Sequence, residues 1–192
     1  MTERLALARS LALLALALPA AVPGQTPPYE GYLCCNMFSD GSWISDINYR
    51  AEGKTRVPAG QPVKVTGFGR ARLLLEIDGK AVALGNDYSR TLSLEQFARR
   101  YIVADDPAPA LAGYPAPVRE AIREGKVMRG MNRTQVQMAL GYPIASYTPD
   151  LDAPLWRYWL DRSTEVQVFW GPDGRVERVF GAPAARKRIA VE

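Results

Sequence analysis

The residue types that most often perform catalysis are sparse in this sequence. The chain of 192 residues contains no histidine and two cysteines, the adjacent Cys34 and Cys35. Without histidine, neither a Ser-His-Asp nor a Cys-His arrangement can form, and two neighbouring cysteines do not supply the four ligands of a common zinc site. We therefore expect no catalytic residue, no metal site, no bound cofactor and no enzymatic activity.

Two pairs of carboxylates are the remaining candidates for chemistry, Asp105/Asp106 and Asp150/Asp152. A glycosidase needs two carboxyl groups held at a set separation across a cleft. Both pairs lie close to proline, where aspartate side chains favour turns. We expect turns here. An enzyme that uses these carboxylates, or an inhibitor of a secreted enzyme, stays open as an alternative.

The adjacent cysteines have two interpretations. Cys34 and Cys35 could act as a redox switch or form an intermolecular bridge. The alternative, which we favour, is structural: two partly buried thiols, or one bridge between the neighbours.

The first 24 residues have the pattern of a secretory signal. Arg4 and Arg9 precede an apolar run from Leu11 to Leu18, and small residues and prolines follow as far as Gly24. The apolar run is too short to span a bilayer comfortably. We expect cleavage close to Gly24 and export to the periplasm, with no transmembrane span in the mature chain. An uncleaved anchor is the alternative.

A lipid anchor is not expected at the new amino terminus. Lipoprotein processing requires a cysteine directly after the signal, with a small residue before it. Cys34 follows Leu33 and lies well beyond the apolar run. The sequence therefore predicts a soluble periplasmic protein, at most associated with the outer membrane.

The organisation of the chain follows from composition and from proline- and glycine-rich breaks. We expect a signal peptide (1–24), a Pro-rich leader (25–31), a small β-barrel module with a terminal helix (32–104), a Pro/Ala-rich linker (105–116), a helix-and-sheet domain (117–181) and a basic tail (182–192). The tail carries Arg186-Lys187-Arg188, which could contact anionic lipid, although we expect it to be solvated. Nucleic acid is not an expected partner of an exported protein.

The barrel module is predicted from short alternating strands. Asp78-Gly79 between two apolar runs is the sequence of a two-residue type I′ hairpin. Ser93 and Gln96 form a capping box for a helix from Leu94 to Tyr101. About five short strands followed by a helix are typical of a small barrel.

Residues 58–88 also resemble the SH3-like barrels that bacteria attach to secreted proteins. That resemblance implies binding of a peptide or of the cell wall, with aromatic residues lining the site. The aromatic candidates are Trp43, Tyr49, Phe68 and Tyr88. Burial in the barrel core is the alternative, and we favour it for each ring.

Two short helices are predicted after the linker. Pro117 suits the first position of one helix, and Gly125 ends it. Asn132 and Gln135 form a capping box at the start of the other, whose apolar stripe ends at Leu140. Helices of this length are not stable alone, so both must pack on an apolar surface.

A three-stranded meander supplies that surface. One face of its first two strands is wholly apolar: Trp156, Tyr158, Leu160, Val166, Val168 and Trp170. The opposite face is mixed and carries Arg157, Trp159, Gln167 and Phe169. We expect the helices on the apolar face, and a partner could bind the mixed face. Burial of Trp159 and Phe169 against the barrel module is the rival use of these two rings, and we slightly favour it. The third run, Arg175 to Phe180, alternates poorly and predicts a bulge or an edge strand.

The order of two helices and a meander resembles the SmpA/OmlA (BamE-like) family over residues 117–181. The residues that carry the resemblance are Gly125, Val127, Gly130, Met131, Val136, Leu140, Gly141, Pro143, Trp156, Tyr158, Val168, Phe169 and Gly174. The family consists of small outer-membrane lipoproteins of Gram-negative bacteria, and its best-known member assists the insertion of β-barrel proteins. The resemblance implies a binding or scaffold role, with envelope proteins as partners and peptidoglycan or outer-membrane lipid as further candidates.

Overall fold

Residues 27–191 are described by a computed structural model, so the expected signal (1–24) lies outside the described residues. They form a mixed α+β structure with a curled eight-stranded sheet, a three-stranded antiparallel sheet and five helices. The elements in chain order are β1 (Tyr29–Leu33), β2 (Met37–Ser39), β3 (Trp43–Ser45), β4 (Thr55–Val57), β5 (Pro62–Gly69), β6 (Arg72–Ile77), β7 (Lys80–Gly85), α1 (Leu94–Tyr101), β8 (Ile102–Val103), α2 (Ala108–Gly113), α3 (Ala116–Glu124), α4 (Arg133–Leu140), β9 (Leu155–Trp159), β10 (Glu165–Trp170), β11 (Val176–Gly181) and α5 (Pro183–Ile189).

The larger sheet, together with α1, forms the first module. Its strand order is β4-β2-β3-β7-β6-β5-β1-β8, which makes a half-barrel rather than a flat sheet. β3 pairs with β7 in parallel, whereas the other neighbours are antiparallel. The sequence predicted about five strands. The additional strands, β2, β4 and β8, have two or three residues each, too few to show an alternating pattern.

The local signals in the first module are confirmed. Asp78 and Gly79 have φ angles of 50° and 74°, as a type I′ turn requires, and the flanking strands pair Ile77 with Lys80. The α1 helix begins at Leu94 after the Ser93/Gln96 capping box. Its inner face, Phe97, Ala98 and Tyr101, closes the concave side of the half-barrel over a core that includes Leu33, Val65, Leu73, Leu75 and Leu84.

The second module consists of α3, α4, α5 and the small sheet, whose order is β11-β10-β9. The predicted packing is confirmed, because Val136 and Leu140 of α4 share one buried cluster with Trp156 and Val168. The Asn132/Gln135 capping box is formed at the start of α4. All six residues of the predicted apolar face are buried.

The third strand is both bulged and at an edge, as predicted. Phe169 pairs with Arg178, but the next residue of β10, Trp170, pairs with Val176, so Glu177 is the extra residue.

Three segments that were expected to lack regular structure, the leader, the linker and the tail, contain a strand or a helix. The β1 strand begins at Tyr29, within the expected leader, and α2 lies within the expected linker. The expectation of a solvated tail is wrong, because α5 buries Ala185 and Ile189 in the core of the second module. These residues are four positions apart and share one helix face, while Arg186, Lys187 and Arg188 remain exposed. Across residues 27–191, every helix is too short or too polar to cross a membrane.

Candidate functional site

The outward face of the small sheet brings the predicted partner-binding residues together. We call it the outer sheet face; it consists of Leu155, Arg157, Trp159, Glu165, Gln167, Phe169, Arg178 and Phe180. Side chains alternate along a strand, so the residues opposite the buried face must share this one. Gln167 of β10 lies between Arg157 of β9 and Phe180 of β11.

Polar contacts fix the middle of this face. The Gln167 amide nitrogen donates to the Glu165 carboxylate at 2.7 Å, and the Arg157 Nε lies 3.9 Å from the same carboxylate oxygen. The Arg178 guanidinium lies 4.3 Å from the centre of the Phe169 ring. The ring quadrupole attracts the guanidinium, which holds both groups in place.

Two aromatic residues of this region were not predicted from the sequence. Phe180 is 61% exposed and Tyr147 is 53% exposed, and the Tyr147 ring lies 5.7 Å from the ring of Trp159. Phe180 lies in β11, where the bulge interrupts the alternation of side chains. The sequence pattern therefore did not show which face of the sheet carries Phe180. Tyr147 lies in a loop without periodicity, so no sequence signal marks it.

The alternative role of Trp159, burial against the first module, is partly realised. Trp159 belongs to neither buried core, yet it borders a small cavity at the junction of the modules with Ile47 and Arg50. Its indole nitrogen is buried and has no hydrogen-bond partner among residues 27–191. Phe169 is half-buried on the open part of the outer sheet face.

The aromatic candidates of the first module lie outside its core, contrary to the interpretation we favoured. Phe68 is 37% and Tyr88 is 40% exposed, while Trp43 and Tyr49 are half-buried. The Arg72 guanidinium lies 4.5 Å from the Trp43 ring centre. Burial, and then the neighbouring hydroxyl of Tyr88, raises the pKa of Tyr49 to about 12.

The adjacent cysteines form a disulfide with each other. Cys35 is fully buried in the first core, and Cys34 is half-buried. The backbone N–H of Cys34 donates to the carbonyl of Tyr101. Asn36, the residue after Cys35, donates its N–H to the carbonyl of Met138 in the second module. The disulfide therefore lies one residue from the contact between the two modules.

Three polar side chains that the sequence did not single out contribute to that contact. Asn36 donates its side-chain amide to the carbonyls of Ile122 (2.6 Å) and Ala139 (3.3 Å). Asn48 donates to the carbonyl of Leu140 at 2.8 Å. These carbonyls lie in the last turns of α3 and α4, where no following helical turn supplies an N–H. The carbonyl of Ile122 also accepts from the N–H of Gly125 at 2.9 Å.

Arg50 completes the junction at the ends of α3 and α5. Its guanidinium donates to the carbonyls of Gly125 (2.5 Å) and Arg188 (3.3 Å), and Arg188 donates back to the carbonyl of Arg50 at 2.8 Å. Burial, with the positive charges of Arg188 and Arg56, lowers the pKa of Arg50 to about 10. Arg50 therefore remains charged at neutral pH, and the first module caps helices of the second.

Asp46 is fully buried, and backbone N–H groups surround its carboxylate. It accepts hydrogen bonds from the backbone N–H groups of Asp87 (3.1 Å), Tyr88 (3.1 Å) and Ser89 (2.8 Å). Burial raises the pKa of Asp46 above its ordinary value, while the hydrogen bonds from Ser89, Tyr88 and Asp87 lower it. Because no part of the side chain reaches solvent, Asp46 positions this loop and does not face a substrate.

The two carboxylate pairs form turns, as predicted. Asp150 accepts from the N–H of Asp152 at 2.8 Å, and Asp106 accepts from the N–H of Ala108 at 2.8 Å. In the part of the chain that the structure describes, no three His, Cys, Asp or Glu residues lie together as a possible metal site.

Comparisons with protein-family models, with curated proteins and with solved structures found no match to this chain.

Proposed function

We propose that the protein is a non-catalytic binding or scaffold module of the bacterial cell envelope, exported to the periplasm, that binds another envelope protein through its outer sheet face. The observation that carries the proposal is the set of partly exposed aromatic rings on that face, Trp159, Phe169 and Phe180, placed beside Arg157 and Arg178.

Aromatic and arginine side chains are the residues most enriched at the energetic centres of protein interfaces. The face of an antiparallel sheet that contacts only solvent is normally polar. Here, the residues of the apolar face are buried beneath the helices. On the opposite face of the same sheet, Phe180 keeps 61% of its surface exposed. The amount of exposed aromatic surface on one side of the sheet favours a protein partner.

Kinship with the SmpA/OmlA (BamE-like) family belongs to this proposal. It is supported by two short helices, of which α4 begins with a capping box, that pack on the apolar face of a three-stranded meander. It is also supported by Gly125 and Gly141, which have φ angles of 70° and 84° at the ends of those helices. Association with the outer membrane would follow from a partner there. An SH3-like arrangement of the first module is proposed from the sequence resemblance alone.

The proposal is tested by crosslinking a tagged, full-length protein in cells, followed by separation of periplasm and outer membrane. The variant Phe169→Ala/Phe180→Ala should lose its crosslinked partner, because both rings lie on the proposed interface. The control is Phe68→Ala, which removes a partly exposed ring (37%) from the first module.

Thermal unfolding of the same proteins separates binding from stability. The double variant should keep most of its melting temperature, since neither ring belongs to a buried core. Unchanged crosslinking by the double variant, or loss of the partner only together with loss of folding, would contradict the proposed interface.

Recognition of the cell wall by the first module is the second candidate. It is favoured by the position of Trp43, Tyr49 and Tyr88 outside the core, because partly exposed aromatic rings can stack on sugars or peptides. Retention on purified peptidoglycan, abolished by Tyr88→Ala and unaffected by Phe169→Ala, would select this function over protein binding.

A further inference from the structure

The β11 strand leaves one edge of the small sheet open. Its first residue, Val176, donates its N–H to the carbonyl of Met131 (2.8 Å) and accepts from the N–H of Gly130 (2.9 Å). The segment that contains Gly130 and Met131 then enters α4 and leaves the strand. Beyond Val176, no described backbone segment pairs with β11 on this side.

The hydrogen-bond pattern shows which backbone groups face this edge. The N–H of Trp170 donates to the carbonyl of Pro154, so Trp170 and, by alternation, Val168 direct their backbone groups toward β9. Phe169 then directs its groups toward β11, where it pairs with Arg178. Val179, the next residue, must therefore direct its N–H and carbonyl away from the sheet.

Val179 has no hydrogen-bond partner on that side within residues 27–191. An edge strand with unpaired backbone groups is the usual template for the addition of another strand. The geometry needed for such pairing is present, since Gly130 and Met131 already pair with Val176 at the same edge.

A basic groove of about 360 Å³ runs along this edge, and no described carboxylate lines it. Its lining residues are Arg129, Val176, Arg178, Val179, Arg186, Ala190 and Val191. None of the ion pairs found among the described residues involves one of these three arginines. The groove thus combines an apolar floor, positive charge and unpaired backbone groups.

We propose that an extended, acidic segment of a partner polypeptide binds in this groove as a fourth strand beside β11. This inference rests on the proposed protein-binding function and specifies the partner. The partner's backbone pairs with Val179, and its carboxylates lie against Arg129 and Arg186. A polypeptide is favoured over an anionic lipid because only a polypeptide satisfies both the N–H and the carbonyl of an edge strand.

The test is titration of the full-length protein with a short synthetic peptide in which glutamate alternates with valine, followed by backbone amide NMR. The amide signals of residues 177–181 should shift in a saturable way at low salt, and the shifts should weaken as salt is added. A peptide with lysine in place of glutamate should not bind.

Two variants address the two parts of the groove. Val179→Pro removes the outward N–H, and proline is tolerated where an edge strand faces away from its sheet. Arg129→Glu/Arg186→Glu reverses the charge of the groove. Each variant should lower the affinity for the peptide at least about tenfold. The matched control, Arg70→Glu/Arg90→Glu, makes the same charge change at exposed positions of the first module and should leave binding unchanged.

Absence of peptide binding, or binding that survives Val179→Pro in a folded protein, overturns strand addition. Vesicles with anionic lipid that bind through Arg129 and Arg186 in the absence of peptide binding would assign the groove to a membrane instead. Loss of cellular crosslinking in Phe169→Ala/Phe180→Ala but not in Val179→Pro would leave the proposed function standing while removing the edge as its site.

Discussion

The side-chain amide of Asn48 donates a 2.8 Å hydrogen bond to the carbonyl oxygen of Leu140, the last residue of α4. The same amide group donates to the carbonyl of Asn36 at 2.9 Å, and the Asn48 side-chain oxygen accepts from the N–H of Phe38 at 2.8 Å. One buried side chain therefore links a turn of the first module to the end of a helix in the second. The two modules should unfold together.

Asn48→Gly should lower the free energy of unfolding by about 2–4 kcal/mol, because it leaves buried donors and acceptors without partners. Glycine is chosen because Asn48 has a φ of 56°, which other side chains tolerate poorly. The measurement is urea denaturation. The control is Asp78→Gly at an exposed turn with a φ of 50°, where the change should be small. Equal effects at both positions would contradict the role of the junction.

The terminal helix should contribute to stability despite its basic sequence. Ile189→Ala removes a fully buried side chain from the second core and should cost about 2–5 kcal/mol. Val191→Ala, two residues further on, should change stability by no more than about 0.5 kcal/mol, because Val191 is 45% exposed. Thermal or urea unfolding of the two variants compares them directly, and similar stabilities would show that α5 does not pack as described.

The stability of the protein should depend on pH through Asp46. Burial raises the pKa of Asp46 in the folded chain above its unfolded value, so folding favours the protonated form. This contribution is fully present below the unfolded pKa and is lost as the pH rises through the folded pKa.

Asp46→Asn removes this dependence. The difference in free energy of unfolding between Asp46→Asn and the unsubstituted protein should shift in favour of the variant as the pH rises from about 4 toward neutrality. Urea denaturation at a series of pH values measures it, and the other carboxylates cancel in the difference. Parallel curves for the two proteins would contradict a raised pKa.

Reduction of the disulfide should loosen the module junction. Alkylation of the denatured, unreduced protein should modify neither Cys34 nor Cys35, whereas prior reduction should expose both. In the folded, reduced protein, hydrogen exchange at the N–H of Asn36 should become faster, because Asn36 follows the disulfide and bonds to Met138. Exchange at Val65, within the first core, serves as the reference and should change less.

Much of the local structure could be predicted because its causes lie within a few residues. The capping boxes at Ser93 and Asn132 and the Asp78-Gly79 turn each depend on neighbouring positions. Alternation along β9 and β10 identified the outer sheet face, including Trp159 and Phe169, since the side of each residue follows from its parity.

The sequence by itself determined the fold class, the start of each capped helix, the buried face of the small sheet and the lack of histidine-dependent chemistry. Only the tertiary structure decided the parallel pairing of β3 with β7, the packing of α5, and the capping of helix ends by Asn36, Asn48 and Arg50. These contacts join residues that are distant in the chain, and a short sequence window carries no signal for its partner. The exposed edge at Val179 was equally hidden, because a bulge sets which backbone groups face outward and periodicity does not record it.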